Sequence, residues 1–163
     1  LDMTGLQTVE RSDTISLAAL TEEVFCDLDP VADKHQIRLI QTEGDCTVTG
    51  SYILLYRAVY NLVENAIKYN RPSGSVTVNI HSAESAVLEV TDTGIGISPE
   101  NQEKIFDPFY RVDKSRSRAM GGAGLGLALV SEIARQHNGQ VKVTQSSEKG
   151  STIALILPKS TDY

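Results

Sequence analysis

Two carboxamides and an ammonium stand at helical spacing in NLVENAIKYN, residues 61–70: Asn61, Asn65 and Lys68 occupy positions i, i+4 and i+7. On an α-helix that spacing gathers them on one face. An amide oxygen is a hard ligand suited to Mg²⁺, which keeps several waters and takes substrate phosphates into its shell. Lys68 would offset phosphate charge, and Tyr69 could stack on a base. Taken alone, the same pattern also describes a solvated helix face with polar i,i+4 pairs. A second group is DTGIGI, residues 92–97. A carboxylate at Asp92 can accept a hydrogen bond from an exocyclic amino group, while Gly94 and Gly96 leave room for a flat ring. An ordinary aspartate turn after a strand reads the same way.

The third group is GGAGLGLALV, residues 121–130, with glycine at 121, 122, 124 and 126 directly before a helical segment. Glycine costs roughly 1 kcal/mol relative to alanine inside a helix, so its repetition needs a reason. Backbone N–H groups at a helix N-terminus are unpaired and attract an anion, and glycine lets the backbone approach it without a Cβ in the way. A phosphate cradle fits; so does a hinge or a close helix contact. A dinucleotide fingerprint is disfavoured, because a charged irregular loop rather than a strand precedes the glycines. No GxxxxGK(S/T) occurs. The fourth group is FDPFYRVDKSRSR, residues 106–118, where Arg111, Lys114, Arg116 and Arg118 form a basic run that could neutralise a phosphate chain or simply be a solvated loop.

These residues need elements to hold them. Ser16 can cap a helix reaching about residue 34, with Leu17, Leu20, Val24, Leu28 and Val31 as its apolar stripe and Pro30 disturbing its last turn. Residues 37–42 alternate like a strand, and 47–50 form another short extended piece. Residues 52–70 form a long helix whose stripe of Leu55, Ala58, Val59, Leu62, Val63, Ala66 and Ile67 faces a core. Residues 75–82 and 86–92 read as one hairpin, and QVKVTQSS with STIALILP as another. Between them lie a short helical piece opened by Pro99, an aperiodic stretch over 110–123 that reads as a mobile loop, and a helix over about 124–137 ended by Asn138-Gly139. The fold class expected is α+β: a mixed five-stranded sheet with about three helices on one face, a two-layer sandwich.

The chain of 163 residues suits one domain, and its hydrophobic and charged fractions, 40% and 22%, are ordinary for a globular protein. A net charge of −6 argues against broad binding to nucleic acid or anionic membrane. Cys26 and Cys46 form no CxxC or CxxH pattern, so neither a disulfide framework nor a zinc site is expected. No apolar run approaches the roughly 20 residues that span a bilayer. The opening LDMTGLQTVERS, without an initiator methionine, reads as the start of a fragment.

The joint occurrence of the asparagine box, DxGxG, FxPF and GxGLGL, in that order between Asn61 and Gly126, resembles the ATP-binding catalytic domain of sensor histidine kinases, within the superfamily that holds DNA gyrase and MutL. The resemblance covers residues 15–158, and PFYRVDKSRSR with GGAGLGLALV is similar to kinases paired with winged-helix response regulators. It implies the Bergerat fold with a mobile ATP lid. Asn65 would ligate Mg²⁺, with Asn61 nearby. Lys68 would touch the phosphates, and Tyr69 and Ile97 would line the adenine pocket. Asp92 would accept from the adenine amino group beside Gly94 and Gly96. Phe106 and Phe109 would anchor the lid, and Arg111 would reach the terminal phosphate. Gly122, Gly124 and Gly126 would form the phosphate turn, with Leu125 and Leu127 closing over it. Ser151 would replace the threonine that the family often has.

By the same resemblance, ATP-hydrolysing relatives carry glutamate at the position of Asn61. An amide cannot serve as a base for water, which favours phosphoryl transfer to a protein over hydrolysis. Glu64 would point about 100° away from Asn65 on an ideal helix. The family's phosphoacceptor histidine lies on a separate helical hairpin, in a motif like HE(L/F)RTP. His35, His81 and His137 do not match it, and all three read as structural, His137 at a helix C-terminus where a cation would be mildly favoured. Residues 1–14 would be the remnant of that hairpin and 15–163 the catalytic domain, monomeric when isolated. The expected setting is the cytoplasmic part of a bacterial membrane sensor, with ATP, the hairpin domain and a response regulator as partners, and no contact with nucleic acid or membrane. A serine kinase or ATPase of the superfamily, and a degenerate binding module, stand as alternatives.

Overall fold

The structure, a computed structural model, describes residues 13–102, 104–107 and 124–160. Chain order is β1 (Asp13–Ser16), α1 (Leu17–Lys34), β2 (Arg38–Gln41), β3 (Thr47–Gly50), α2 (Tyr52–Lys68), β4 (Ser75–Ser82), β5 (Ala86–Asp92), two 3₁₀ turns at Pro99–Asn101 and Lys104–Phe106, α3 (Gly124–Gln136), β6 (Gln140–Ser147) and β7 (Gly150–Leu157). The main sheet runs β2-β4-β5-β7-β6. Only β2 and β4 are parallel, joined across α2; the remaining pairs are antiparallel, as the two hairpins require.

Alternation along the strands separates the two layers. Val78, Val90 and Ile153 share one row, and Ile80, Leu88 and Leu155 the next, all buried. They join one core with the α2 stripe, every member of which is buried. The opposite face carries polar side chains: the hydroxyls of Thr91 and Thr152 lie 2.9 Å apart, and His81 stands 3.3 Å from Glu89. A sheet with one apolar and one polar face, covered by helices on the apolar side, is the expected two-layer sandwich.

Local chemistry sets the helix ends. The Ser16 hydroxyl accepts from Ala19 N–H at 3.1 Å, and the Asp45 carboxylate accepts from Ala18 N–H at 2.9 Å, placing negative charge at the positive end of α1. Ser51 caps α2 in the same way. Pro30 sits inside α1 without ending it; it lies on the exposed side and has no N–H to offer the carbonyl of the exposed Cys26 four residues earlier.

One expectation changes, and the structure adds three details. Asp13–Ser16 pairs antiparallel with Thr47–Gly50 in a separate two-stranded sheet. Helix α2 stops at Lys68, with Tyr69 as its cap. After α3 it is Asn138, at φ 59°, that takes the left-handed conformation; Gly139 is required for space, since a Cβ there would stand 2.2 Å from the Ile156 carbonyl oxygen. His137 is structural, as its placement suggested. It is buried, its Nε2 accepts from Ser51 N–H at 3.1 Å, and its Nδ1 lies 2.8 Å from the Ile133 carbonyl. An amide N–H can only donate and a carbonyl can only accept, so the ring is the neutral Nδ1–H tautomer. His137→Phe should therefore cost about 1–3 kcal/mol by stranding the amide that opens α2, measurable as a lower midpoint in urea with an unchanged slope.

Candidate functional site

The residues singled out by spacing converge around α2. Its last turn meets the turn after β5: a Cβ on Gly94 would stand 2.4 Å from the Tyr69 carbonyl oxygen and 3.2 Å from Asn70 Cα. Its middle meets the start of α3, where the Asn61 Nδ2 donates to the Gly126 carbonyl at 3.3 Å. The asparagine box therefore bridges the Asp92 turn and the glycine-rich helix N-terminus, as one binding cleft would need.

Asp92 is partly buried at the end of β5. One carboxylate oxygen accepts from Gly94 N–H at 2.8 Å, and the other accepts from the Ser151 hydroxyl at 2.9 Å. Burial pushes its pKa above the ordinary 3.8, opposed by those hydrogen bonds and by one from the Ser151 backbone. Fixed on two sides, the carboxylate still has lone pairs to accept from a ligand N–H. The following turn is seated just as firmly. Gly96 takes φ 78° with its Cα side against the Ser147 carbonyl, and Ile97 N–H donates to the Ser146 hydroxyl at 2.6 Å. Gly150 packs on the Asp92 carbonyl.

On α2, Asn65 is half-buried, and its side chain makes no hydrogen bond to any described residue. Lys68 pairs with Glu64 at 3.7 Å, both partly exposed. That i,i+4 pair follows from the sequence spacing, yet the functional reading of Lys68 overlooked it. Among the described residues no cluster of acids, histidines or cysteines could hold a metal by itself. An amide beside a lysine fits Mg²⁺ only as a partner of phosphate oxygens and water, which is how that ion is commonly held.

The remaining candidates divide. Ser151 is buried and acts on Asp92, so its part is to orient the carboxylate. Leu127 is 5% exposed and belongs to the core. Phe106 is half-buried and packs against that core. Gly124 and Leu125 open α3. Phe109, Arg111 and Gly122, with the loop 110–123, lie outside the described residues. Sequence reasoning missed Ser146, Gly150 and the Glu64 pairing; the first two act through strand register, which spacing along the chain does not reveal.

Gly126 tests the cradle. A Cβ there would stand 3.6 Å from Asn61, an ordinary contact. Gly126→Ala should leave the unliganded fold as stable or up to about 1 kcal/mol more stable, yet weaken a phosphate ligand by about tenfold. Urea melts and a calorimetric titration of the same variant measure both.

Residues 50–161 match the family described as histidine kinase-, DNA gyrase B-, and HSP90-like ATPase. The sensor-like histidine kinase SenX3 of Mycolicibacterium smegmatis is 37% identical over 168 residues, which cover 99% of this chain and 44% of that protein. The sensor histidine kinase RppB of Synechocystis is 44% identical over 140 residues, covering 85% of this chain and 30% of that one. The chain thus spans less than half the length of these curated relatives. Among solved structures, the mycobacterial sensor histidine kinase MprB superposes with a TM-score of 0.77 at 28% identity, covering 93% of this chain and 99% of that one.

Proposed function

The chain belongs to the histidine kinase-, DNA gyrase B-, and HSP90-like ATPase family, and we propose that it binds Mg-ATP and supplies the γ-phosphoryl group to a histidine on a separate dimerising helical domain. That group would pass on to an aspartate of a response regulator, of the winged-helix type by the loop motif. In this reading residues 15–163 are the nucleotide-binding domain of a bacterial membrane sensor, on its cytoplasmic side and monomeric alone.

One observation carries the reading: a partly buried carboxylate, Asp92, is clamped by Gly94 and Ser151 where the polar end of α2 abuts it. A clamped acceptor in a half-apolar site selects a ring with an exocyclic amino group, because a ring lacking that donor leaves the carboxylate unpaired. Tyr69 and Ile97 would flank the base. Lys68 would exchange Glu64 for phosphate. Asn65 would hold Mg²⁺ by its amide oxygen, and the bound ion would offset phosphate charge and orient the chain for in-line transfer. The N–H groups opening α3 would receive phosphate oxygens. Asn61, tied to Gly126, cannot deprotonate water, which disfavours loss of the phosphoryl group to solvent.

The test mixes this chain with the separately expressed phosphoacceptor hairpin of a relative and γ-labelled ATP. Label should appear on the hairpin only, and not when its histidine is replaced by glutamine. Steady release of free phosphate by the chain alone, with no labelled hairpin, would contradict transfer and favour hydrolysis.

A further inference from the structure

α1 and α2, with Leu129 of α3, bound a groove of about 810 Å³ that reaches Asn61 at one end. Tyr52, Tyr56 and Tyr60 form its floor as a ladder, with ring centroids 6.2 and 6.0 Å apart and planes inclined by 27° and 33°. Glu23 and Asp27 of α1 form one wall, and Tyr56 donates its hydroxyl proton to Asp27. Ile53 stands at the lip, 73% exposed, the most exposed large apolar side chain described.

We infer that this groove receives a helical segment of a protein partner that carries arginines one helical turn apart. Three features single out that occupant. A guanidinium is a flat cation that stacks on a phenol face while its edge N–H groups reach carboxylates, and the groove supplies both surfaces side by side. The ladder repeat of 6.2 and 6.0 Å matches the roughly 5–6 Å between i and i+4 side chains on a helix, so successive arginines would meet successive rings. Carboxylates stand beside the rings. The Tyr56 hydroxyl is pushed up by burial and then by Asp27, with smaller contributions from Tyr60 and Glu23; Tyr60 is pushed up by burial, Glu64 and Asp27. Arg57 is the one cation among the described lining residues. Ile53 and Leu129 offer apolar contact to the rest of the docked face, the usual division of labour for a helix in a groove.

Cys26 is exposed and lines the groove, so it reports occupancy directly. The probe is an alanine-based helical peptide with arginine at i, i+4 and i+8, offered to the chain carrying Cys46→Ser. At ten times its dissociation constant the peptide should slow alkylation of Cys26 by about tenfold, while the same peptide with glutamine for arginine should not. Glu23→Gln with Asp27→Asn, and separately Tyr56→Leu, should each weaken the arginine peptide by about tenfold, with circular dichroism unchanged. Equal protection by the glutamine peptide, no protection by the arginine peptide, or undiminished binding to both variants would overturn the inference. So would a dimer in sedimentation that Ile53→Glu abolishes, which would give the groove to a second copy of this chain.

Discussion

Asp92→Asn will separate binding from folding. The unliganded variant should melt close to wild type, while its affinity for ATP falls by at least about tenfold. Folding changes little because the two consequences oppose each other. Asparagine escapes the desolvation that pushes this carboxyl above 3.8, but its amide nitrogen is a poorer partner for the Ser151 donors. Binding suffers because an amide N–H₂ set against an exocyclic amino group puts donor against donor. In wild type, ATP at one hundred times its dissociation constant should add about 2.7 kcal/mol, a melting shift of roughly 5–11 °C for this length; at the same concentration the variant should show a much smaller shift. The pH dependence has a definite sign. A carboxyl with a raised folded pKa favours the folded state most below 3.8, and that contribution is lost as pH rises through the folded value. Acidification through this window should therefore raise the Asp92 contribution to unliganded stability and lower ATP affinity, since protonation removes the acceptor. Asparagine at 92 should remove both dependences, which melts and titrations of the two proteins across that window will reveal.

Gly94→Ala should damage fold and site together. The added Cβ would stand 2.4 Å from the Tyr69 carbonyl and 3.0 Å from Asp92 Oδ1. The first neighbour is backbone at the end of α2 and cannot rotate away, so the β5 turn or the helix end must move. Overpacking of this kind costs about 1–3 kcal/mol. It also withdraws the Gly94 N–H from Asp92, and a hydrogen bond to a charged group is worth about 1.5–3 kcal/mol, enough for a ten- to hundredfold loss of ATP affinity. Set beside Gly126→Ala, whose Cβ meets only ordinary contacts, the comparison distinguishes a glycine required by packing from one required by the ligand. Equal loss of unliganded stability in both variants would contradict that division.

Much of this was legible because period and burial agree. The α2 stripe from Leu55 to Ile67 is buried at every predicted position, and the apolar alternation of β4 and β5 places Val78 beside Val90 and Ile80 beside Leu88. The clustering of Asn61, Asn65 and Lys68 is local helix geometry and needs nothing beyond spacing. What escaped depends on distant parts of the chain. Asp13–Ser16 is polar at three of its four positions and becomes a strand only because Thr47–Gly50 lies beside it. The tautomer of His137 is dictated by Ser51, and the support of the 94–97 turn by Ser146, Ser147 and Gly150 from the far hairpin. The tyrosine ladder went unremarked because Tyr52, Tyr56 and Tyr60 lie outside the apolar stripe of α2, and only the packing of α1 beside them makes a half-open groove.

The most direct test of the central claim, that one cleft built on α2 binds the nucleotide, is a titration of the isotopically labelled chain with Mg-ATP followed by amide NMR. The largest shifts should fall together on Asp92–Ile97, on Asn65–Asn70 at and just after the end of α2, and on the opening of α3 at Gly126, and adenosine alone should move the first two groups but not the third. Shifts confined to the tyrosine groove or the polar sheet face, or no shifts at millimolar nucleotide, would contradict it.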